Sequence, residues 1–176
     1  MTLNKKIIFV TGTRADWGKL KSLVVETTKY DFDVYVFITG MHNDPKYGDT
    51  YLDVQRVENV EFFRFDNKTD ETTMDLTLSK TIDGFSKYVE KIDPDLIVIH
   101  GDRPEPLACA IVGSFKNILV AHVEGGEISG TIDELIRHSI SKLSHIHFVS
   151  NNDAKNRLIQ MGEKKDSISI IGSPDI

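Results

Sequence analysis

Three carboxylates, Asp102, Glu124 and Asp133, each follow a short apolar run or open an amphipathic one. Carboxylates held near one another in a partly dry cleft have their pKa values driven apart, so one acts as acid and another as base. The ordinary reading of each stays open: Asp102 as a turn residue, Asp133 as a first-turn helix residue favoured by the macrodipole. Convergence of three on one edge favours the chemical reading. Upstream lies Thr11-Gly12-Thr13-Arg14-Ala15-Asp16. This segment reads as an anion cradle, with glycine admitting backbone amides to a ligand and Arg14 adding a bidentate contact to a phosphate. It reads equally as a plain strand-to-helix turn with an exposed arginine. It is not a P-loop, because Gly12 and Gly18 are six positions apart and Leu20 stands where Ser or Thr is required. The dinucleotide pattern G-x-G-x-x-G is also absent.

Histidines raise a metal reading. His100-x-Asp102, His122-x-Glu124 and His145-x-His147 each put two ligand-type residues on one face of a strand. They share no clear joint geometry, and no metal site is expected. Cys109, inside an apolar helical stretch, is expected to pack in the core, and a single cysteine excludes an internal disulfide. Trp17 is expected to pack its helix, and Lys164-Lys165 to form a solvated turn.

The elements that must position these residues follow from periodicity. Short β-branched runs at Lys6–Val10, Val34–Thr39, Val60–Phe65, Leu96–His100, Ile118–His122, His145–Ser150 and Ser167–Ile171 suit parallel strands covered on both faces. Helical patterns lie between them at Ala15–Tyr30, Met74–Ile92, Pro104–Phe115, Thr131–Leu143 and Asn152–Met161. In Met74–Ile92, apolar residues Met74, Leu78, Ile82, Phe85 and Val89 recur at spacings of three and four. Pro104 suits a first helical turn, and Asp93-Pro94 a break. The alternation predicts a doubly wound, mostly parallel α/β sheet of Rossmann-like type with right-handed crossovers. Ligands bind beyond the carboxyl ends of such strands, where the charged and glycine residues of this chain concentrate. The polar segment Asp66–Thr73 is expected to be a mobile loop.

Composition narrows the classes. With 176 residues, 21 Lys+Arg against 27 Asp+Glu, a net charge of −6 and 40% hydrophobic residues, the chain reads as one globular domain. The acidic balance and lack of a basic block argue against nucleic-acid binding. No apolar run reaches membrane-span length. The start lacks the cleavage signals of a secretory leader, and a cytoplasmic protein is the simplest expectation. The end, a strand followed by Gly-Ser-Pro-Asp-Ile, looks cut.

The stretch from His122 through Glu124-Gly125-Gly126-Glu127 and Asp133 to His138 closely resembles the hydrolysing UDP-N-acetylglucosamine 2-epimerases. Thr13-Arg14-Ala15-Asp16, His100-Gly101-Asp102-Arg103, Lys142-Leu143-Ser144-His145 and Gly172-Ser173-Pro174-Asp175 fit in the expected order. Arg14-Ala15-Asp16 and Gly125–Thr131 side with the hydrolysing branch over the non-hydrolysing one. The resemblance implies the N-terminal half of a glycosyltransferase-B-like fold, with residues 1–176 as one Rossmann-like domain. A C-terminal domain would supply most contacts to UDP. It implies release of UDP and N-acetylmannosamine from UDP-GlcNAc for sialic-acid-type synthesis, by elimination to a glycal and hydration, without a cofactor, in a homodimer. A UDP-linked diacetamido-trideoxy hexose as substrate, or a noncatalytic sugar-nucleotide-binding module, are the alternatives. It implies Asp102, Glu124 and Asp133 as catalytic residues and Arg14 as a diphosphate contact. His42 is expected on the sugar, and Arg103 and His138 as substrate contacts or supports for the carboxylates. The macrodipole is expected to keep Asp133 ionised, and a drier position to keep Glu124 a neutral acid.

Overall fold

A computed structural model describes residues 4–69, 71 and 73–174. Seven strands, β1 (Lys5–Thr11), β2 (Phe32–Ile38), β3 (Glu61–Arg64), β4 (Leu96–His100), β5 (Leu119–Val123), β6 (Ile146–Val149) and β7 (Ile168–Ile170), form one sheet. Every pairing is parallel, in the order β3-β2-β1-β4-β5-β6-β7. The helices are α1 (Arg14–Thr27), α2 (Tyr51–Val54), α3 (Met74–Ile92), α4 (Pro104–Phe115), α5 (Ile132–Lys142) and α6 (Asn152–Gln160). The chain winds outward from β1 to β3, then returns to lay β4 on the other side of β1. The crevice above β1 and β4 is therefore the topological switch point, where such sheets take ligands.

Alternate side chains of a strand go to opposite faces, and here both faces are covered. Ile8, Val10, Phe37, Ile97, Ile99 and Val120 pack on one side under Phe85 and Val89 of α3, Cys109 and Val112 of α4, and Ile136 and Ile140 of α5. Ile7, Phe9, Val36, Ile38, Val98 and Val123 face the other side, under Trp17, Leu20 and Val24 of α1 and Val54 of α2. Cys109 and Trp17 are buried as expected. Among the described residues, no helix is long and apolar enough to cross a membrane.

The predicted doubly wound parallel sheet is the observed one, and α3, α4 and β4 have the expected bounds. Helix α1 stops at Thr27 rather than Tyr30, where Thr27 and Thr28 turn their hydroxyls back onto the carbonyls of Leu23 and Val25. Two 3-10 turns, Gly40–Asn43 and Pro45–Tyr47, and the one-turn α2 were not anticipated, being too short to show a period. The expected loop at Asp66–Thr73 is anchored to α3, where Lys80 Nζ donates to the Lys68 carbonyl, and through Asn67. Asn67 is buried, accepts the Gly40 N–H at 3.1 Å and donates to Thr81 Oγ1 at 3.0 Å. Residues 70 and 72 of that segment lie outside the described residues, as does Asp175 of the terminal motif.

Gly84 of α3 supplies a test of this packing. A Cβ there would lie 2.1 Å from the Phe65 ring, which stacks at 5.8 Å on Phe37. Intrinsic propensity favours alanine in a helix by about 1 kcal/mol, whereas overpacking costs about 1–3 kcal/mol. We expect Gly84→Ala to lower the urea midpoint. A raised midpoint would show that the Phe65 ring moves aside at no cost.

Candidate active site

At the end of β1, Thr13 caps α1 by accepting the Asp16 N–H at 3.2 Å. The cap turns Asp16 inward, where its carboxylate accepts the Gly12 N–H at 3.1 Å and faces His100 Nδ1 at 3.3 Å. His100 ends β4. Its Nε2 donates to Glu124 Oε2 at 2.9 Å. The second carboxylate oxygen of Glu124 accepts from Lys19 Nζ at 3.0 Å and Ser173 Oγ at 2.8 Å, and Lys19 also reaches Ser173 Oγ at 2.6 Å. Asp16, His100, Glu124, Lys19 and Ser173 thus form one chain of contacts drawn from α1 and the ends of β4, β5 and β7.

The residues after β5 explain how Glu124 is aimed. Its backbone lies in the left-handed region, at φ 60°, a conformation costing a non-glycine residue about 1–2 kcal/mol. A Cβ at Gly125 would meet Ser141 Oγ at 2.7 Å and His122 Nδ1 at 2.8 Å. At Gly126, with φ 80°, it would meet the Ala154 carbonyl at 2.5 Å. The glycine pair lets the chain turn tightly against α5 and α6, which returns the Glu124 carboxylate over β4.

The electrostatics overturn one expectation. Burial opposes protonation of His100, but hydrogen bonds and charges from Asp16 and Glu124 outweigh it and raise its pKa to about 9. The His100 hydrogen bond leads in holding Glu124 down at about 2, with burial opposing and Lys19 and Ser173 assisting. Glu124 is therefore a fixed anion, not a neutral acid: its site is drier than water, but two cations are wired to it. His122 is buried, accepts from Ser141 Oγ at 3.0 Å and donates from Nε2 to the Gly101 carbonyl at 2.8 Å. Burial leads in lowering its pKa to about 3, so it is a neutral brace under the Gly101 turn.

All three predicted carboxylates line one cleft of about 450 Å3, together with Asp16, His100 and Arg137. Asp102 is paired with Arg137, which also donates to the Glu127 carbonyl at 3.0 Å. Asp133 is exposed in the first turn of α5, where Thr131 caps the helix and contacts its carboxylate at 3.2 Å. Arg103 stands in the cleft wall. The other expected contacts are elsewhere. Arg14 opens α1 with its side chain 74% exposed, 3.8 Å from Asp53 and outside the cleft lining. His138 lies 3.8 Å from Glu134 on α5, also outside it. His42 cannot touch a sugar as placed: it is 1% exposed, with ring nitrogens 2.9 Å from Thr11 Oγ1 and 2.7 Å from Thr50 Oγ1. It ties the loop after β2 to β1. Among the described residues, no group of three or more His, Cys, Asp or Glu is arranged to hold a metal ion. Asp16, Lys19, His100, Arg137 and Ser173 were not expected in the site. The motifs Thr13–Asp16 and His100–Arg103 contained two of them, but their partners are remote in sequence.

These shifts fix a stability profile. His100, raised from 6.5 to about 9, contributes fully below pH 6.5 and loses its contribution as pH rises through 9. His122 at about 3 and His42 at about 4, both lowered chiefly by burial, contribute above pH 6.5 and lose it as pH falls toward those values. We expect the urea midpoint to peak near pH 6.5 and fall on both sides, with His100→Gln flattening the alkaline limb. A midpoint that rises steadily from pH 6.5 to 9 would contradict this assignment of charge.

Comparison with known proteins agrees with the geometry. The family model described as UDP-N-acetylglucosamine 2-epimerase matches residues 25–176. A UDP-N-acetylglucosamine 2-epimerase of Neisseria meningitidis serogroup B is 49% identical over 173 residues, covering 98% of this chain and 46% of its own. A hydrolyzing UDP-N,N'-diacetylbacillosamine 2-epimerase of Legionella pneumophila is 40% identical, covering 98% of this chain and 47% of its own. Among solved structures, the UDP-GlcNAc 2-epimerase of Methanocaldococcus jannaschii in complex with UDP-GlcNAc and UDP superposes with a TM-score of 0.86. That match has 26% identity and covers 96% of this chain and 46% of that one. The chain spans about half the length of the relatives it matches. With Asp16, His100, Asp102 and Glu124 of its family motifs gathered at the switch point of a parallel sheet, the chain belongs to the UDP-N-acetylglucosamine 2-epimerase family.

Proposed function

We propose that the intact protein is a hydrolysing UDP-N-acetylglucosamine 2-epimerase, and that residues 1–176 supply the carboxylate half of its active site. One observation carries this reading: Asp102, Glu124 and Asp133 line one cleft, with Glu124 held ionised by His100 and Lys19. The reaction begins with departure of UDP from C1 and loss of the C2 proton, giving a glycal. Water then adds its oxygen to C1 while C2 takes a proton on the opposite face, yielding N-acetylmannosamine. The C2–H is not acidic, so cleavage at C1 leads and the sugar ring acquires positive charge. A fixed anion beside that ring is stabilising without any rearrangement. Glu124, held ionised by His100 and Lys19, is assigned to that stabilisation, and the proton transfers at C2 to Asp102 and Asp133. Arg14, which the family resemblance assigns to the departing diphosphate, stands exposed in the first turn of α1 outside the cleft lining.

The same reading includes a role in sialic-acid-type synthesis, a homodimer and a cytoplasmic location, as the resemblance implies. Support for the hydrolysing branch comes from Arg14-Ala15-Asp16, from the Gly125–Thr131 stretch and from the hydrolyzing Legionella relative.

The intact protein, given UDP-GlcNAc, should release UDP and free N-acetylmannosamine. Formation of UDP-N-acetylmannosamine would instead place it on the non-hydrolysing branch. Asp102→Asn and Asp133→Asn keep volume but remove proton transfer, and each is expected to lower kcat roughly a hundredfold or more. A variant impaired mainly in hydration should release glycal, visible by proton NMR of the products. Unchanged kcat in either variant removes that residue from the chemistry.

A further inference from the structure

Helix α5 reaches Asp102 twice. Arg137 pairs with its carboxylate directly. One turn further along the same face, Ser141 reaches the same loop through a buried intermediary. Ser141 Oγ lies 3.0 Å from His122 Nδ1, and His122 Nε2 lies 2.8 Å from the carbonyl of Gly101, the residue before Asp102. Both side chains are 0% exposed. The carbonyl can only accept, so the neutral ring carries its proton on Nε2 and accepts the Ser141 hydroxyl at Nδ1. A donor at Nδ1 makes the Nε2–H a stronger donor in turn. Gly101 has a φ of 82°, and a glycine is free to take many others. The bond from His122 selects this one. The far end of the relay is immobile, because Ile136 and Ile140 hold α5 in the core.

We propose that Ser141, acting through His122 and the Gly101 carbonyl, is a positioning residue for Asp102, and that with Arg137 it holds this carboxylate at a fixed offset from Asp133 on the same helix. The inference rests on the assignment of the C2 proton transfers to Asp102 and Asp133. Neither Ser141 nor His122 lines the cleft, so each can affect the chemistry only through a residue that does. Proton transfer at carbon is sensitive to such placement, since a shift of about 1 Å in a reacting group can cost about a hundredfold in rate. Helix α5 therefore does more than carry Asp133: its Arg137 and Ser141 set the position of the other proton-transferring group as well.

Release of UDP from UDP-GlcNAc would be measured for the intact protein carrying Ser141→Ala or, independently, His122→Asn, whose shorter side chain cannot reach Gly101. Each is made in the wild-type and in the Asp102→Asn background, and melting temperatures identify the folded variants. In the wild-type background each folded variant is expected to lower kcat about tenfold and to leave KM within about twofold. In the Asp102→Asn background neither is expected to lower the residual rate further, because the group they position is already lost. His122→Gln keeps an N–H within reach of the Gly101 carbonyl and is expected to restore most of the rate lost in His122→Asn. An unchanged kcat, equal losses in both backgrounds, or equal losses in the Gln and Asn variants overturns the relay. If the wild type releases no UDP, the functional reading fails. In that case, or where Asp102→Asn leaves no measurable rate, the carboxyl carbon-13 resonances of Asp102 and Asp133, assigned through their Asn variants, decide the positioning. An Asp102 resonance displaced in Ser141→Ala while that of Asp133 stays fixed supports it; one that stays fixed, or moves together with Asp133, overturns it.

Discussion

The contact between His100 and Glu124 is the constraint on which the site depends. A carboxylate turned into a partly dry crevice is costly unless cations and donors meet it. His100 meets it at 2.9 Å, Asp16 keeps His100 charged from the far side, and Lys19 takes the other oxygen. Removing one member of such a buried pair costs about 3–5 kcal/mol, because the remaining charge is stranded. The strained backbone at Glu124 persists because this network and the packing of Gly125 and Gly126 determine it from both sides. Energy stored in folding thereby maintains an anion in place before any ligand arrives, the condition for electrostatic stabilisation of a cationic transition state.

The sheet makes the contact possible. Strands β4 and β5 pair in parallel with His100 opposite Val123, which places Glu124 one residue beyond that pair at the neighbouring strand end. Asp16 arrives from α1 because β1 is the other neighbour of β4. The same order lays the ends of β2 and β3 beside the cleft, so the first 3-10 turn and the segment around Asn67 form a second cavity rather than a separate surface.

Local patterns were enough for most of the fold. Helix α3 shows in its spacing of apolar residues and ends where Asp93 takes a left-handed φ of 54° before Pro94. Helix α4 is announced by Pro104 in its first turn. The three carboxylates could be found because they follow strands or open a helix, and that edge is fixed by topology. The network that governs them was hidden because its members are far apart in the chain. His100 and Asp16 are 84 positions apart, and Lys19 and Glu124 are 105 apart. His42 failed as a sugar contact for the complementary reason: a histidine after a strand looks the same in sequence whether its ring faces the cleft or, as here, two buried threonine hydroxyls. Without the pairing partners, desolvation alone points to a neutral Glu124, which the His100 and Lys19 contacts reverse.

The electrostatics of the site turn on the charge of the His100 ring. Nitrogen-15 NMR of histidine-labelled protein reports ring protonation, with His100 assigned through His100→Gln. An imidazolium is expected at pH 7 that loses its proton only near pH 9, and earlier in Asp16→Asn. A neutral His100 ring at pH 7, titrating at or below the ordinary value of about 6.5, would contradict the charged Asp16–His100–Glu124 network.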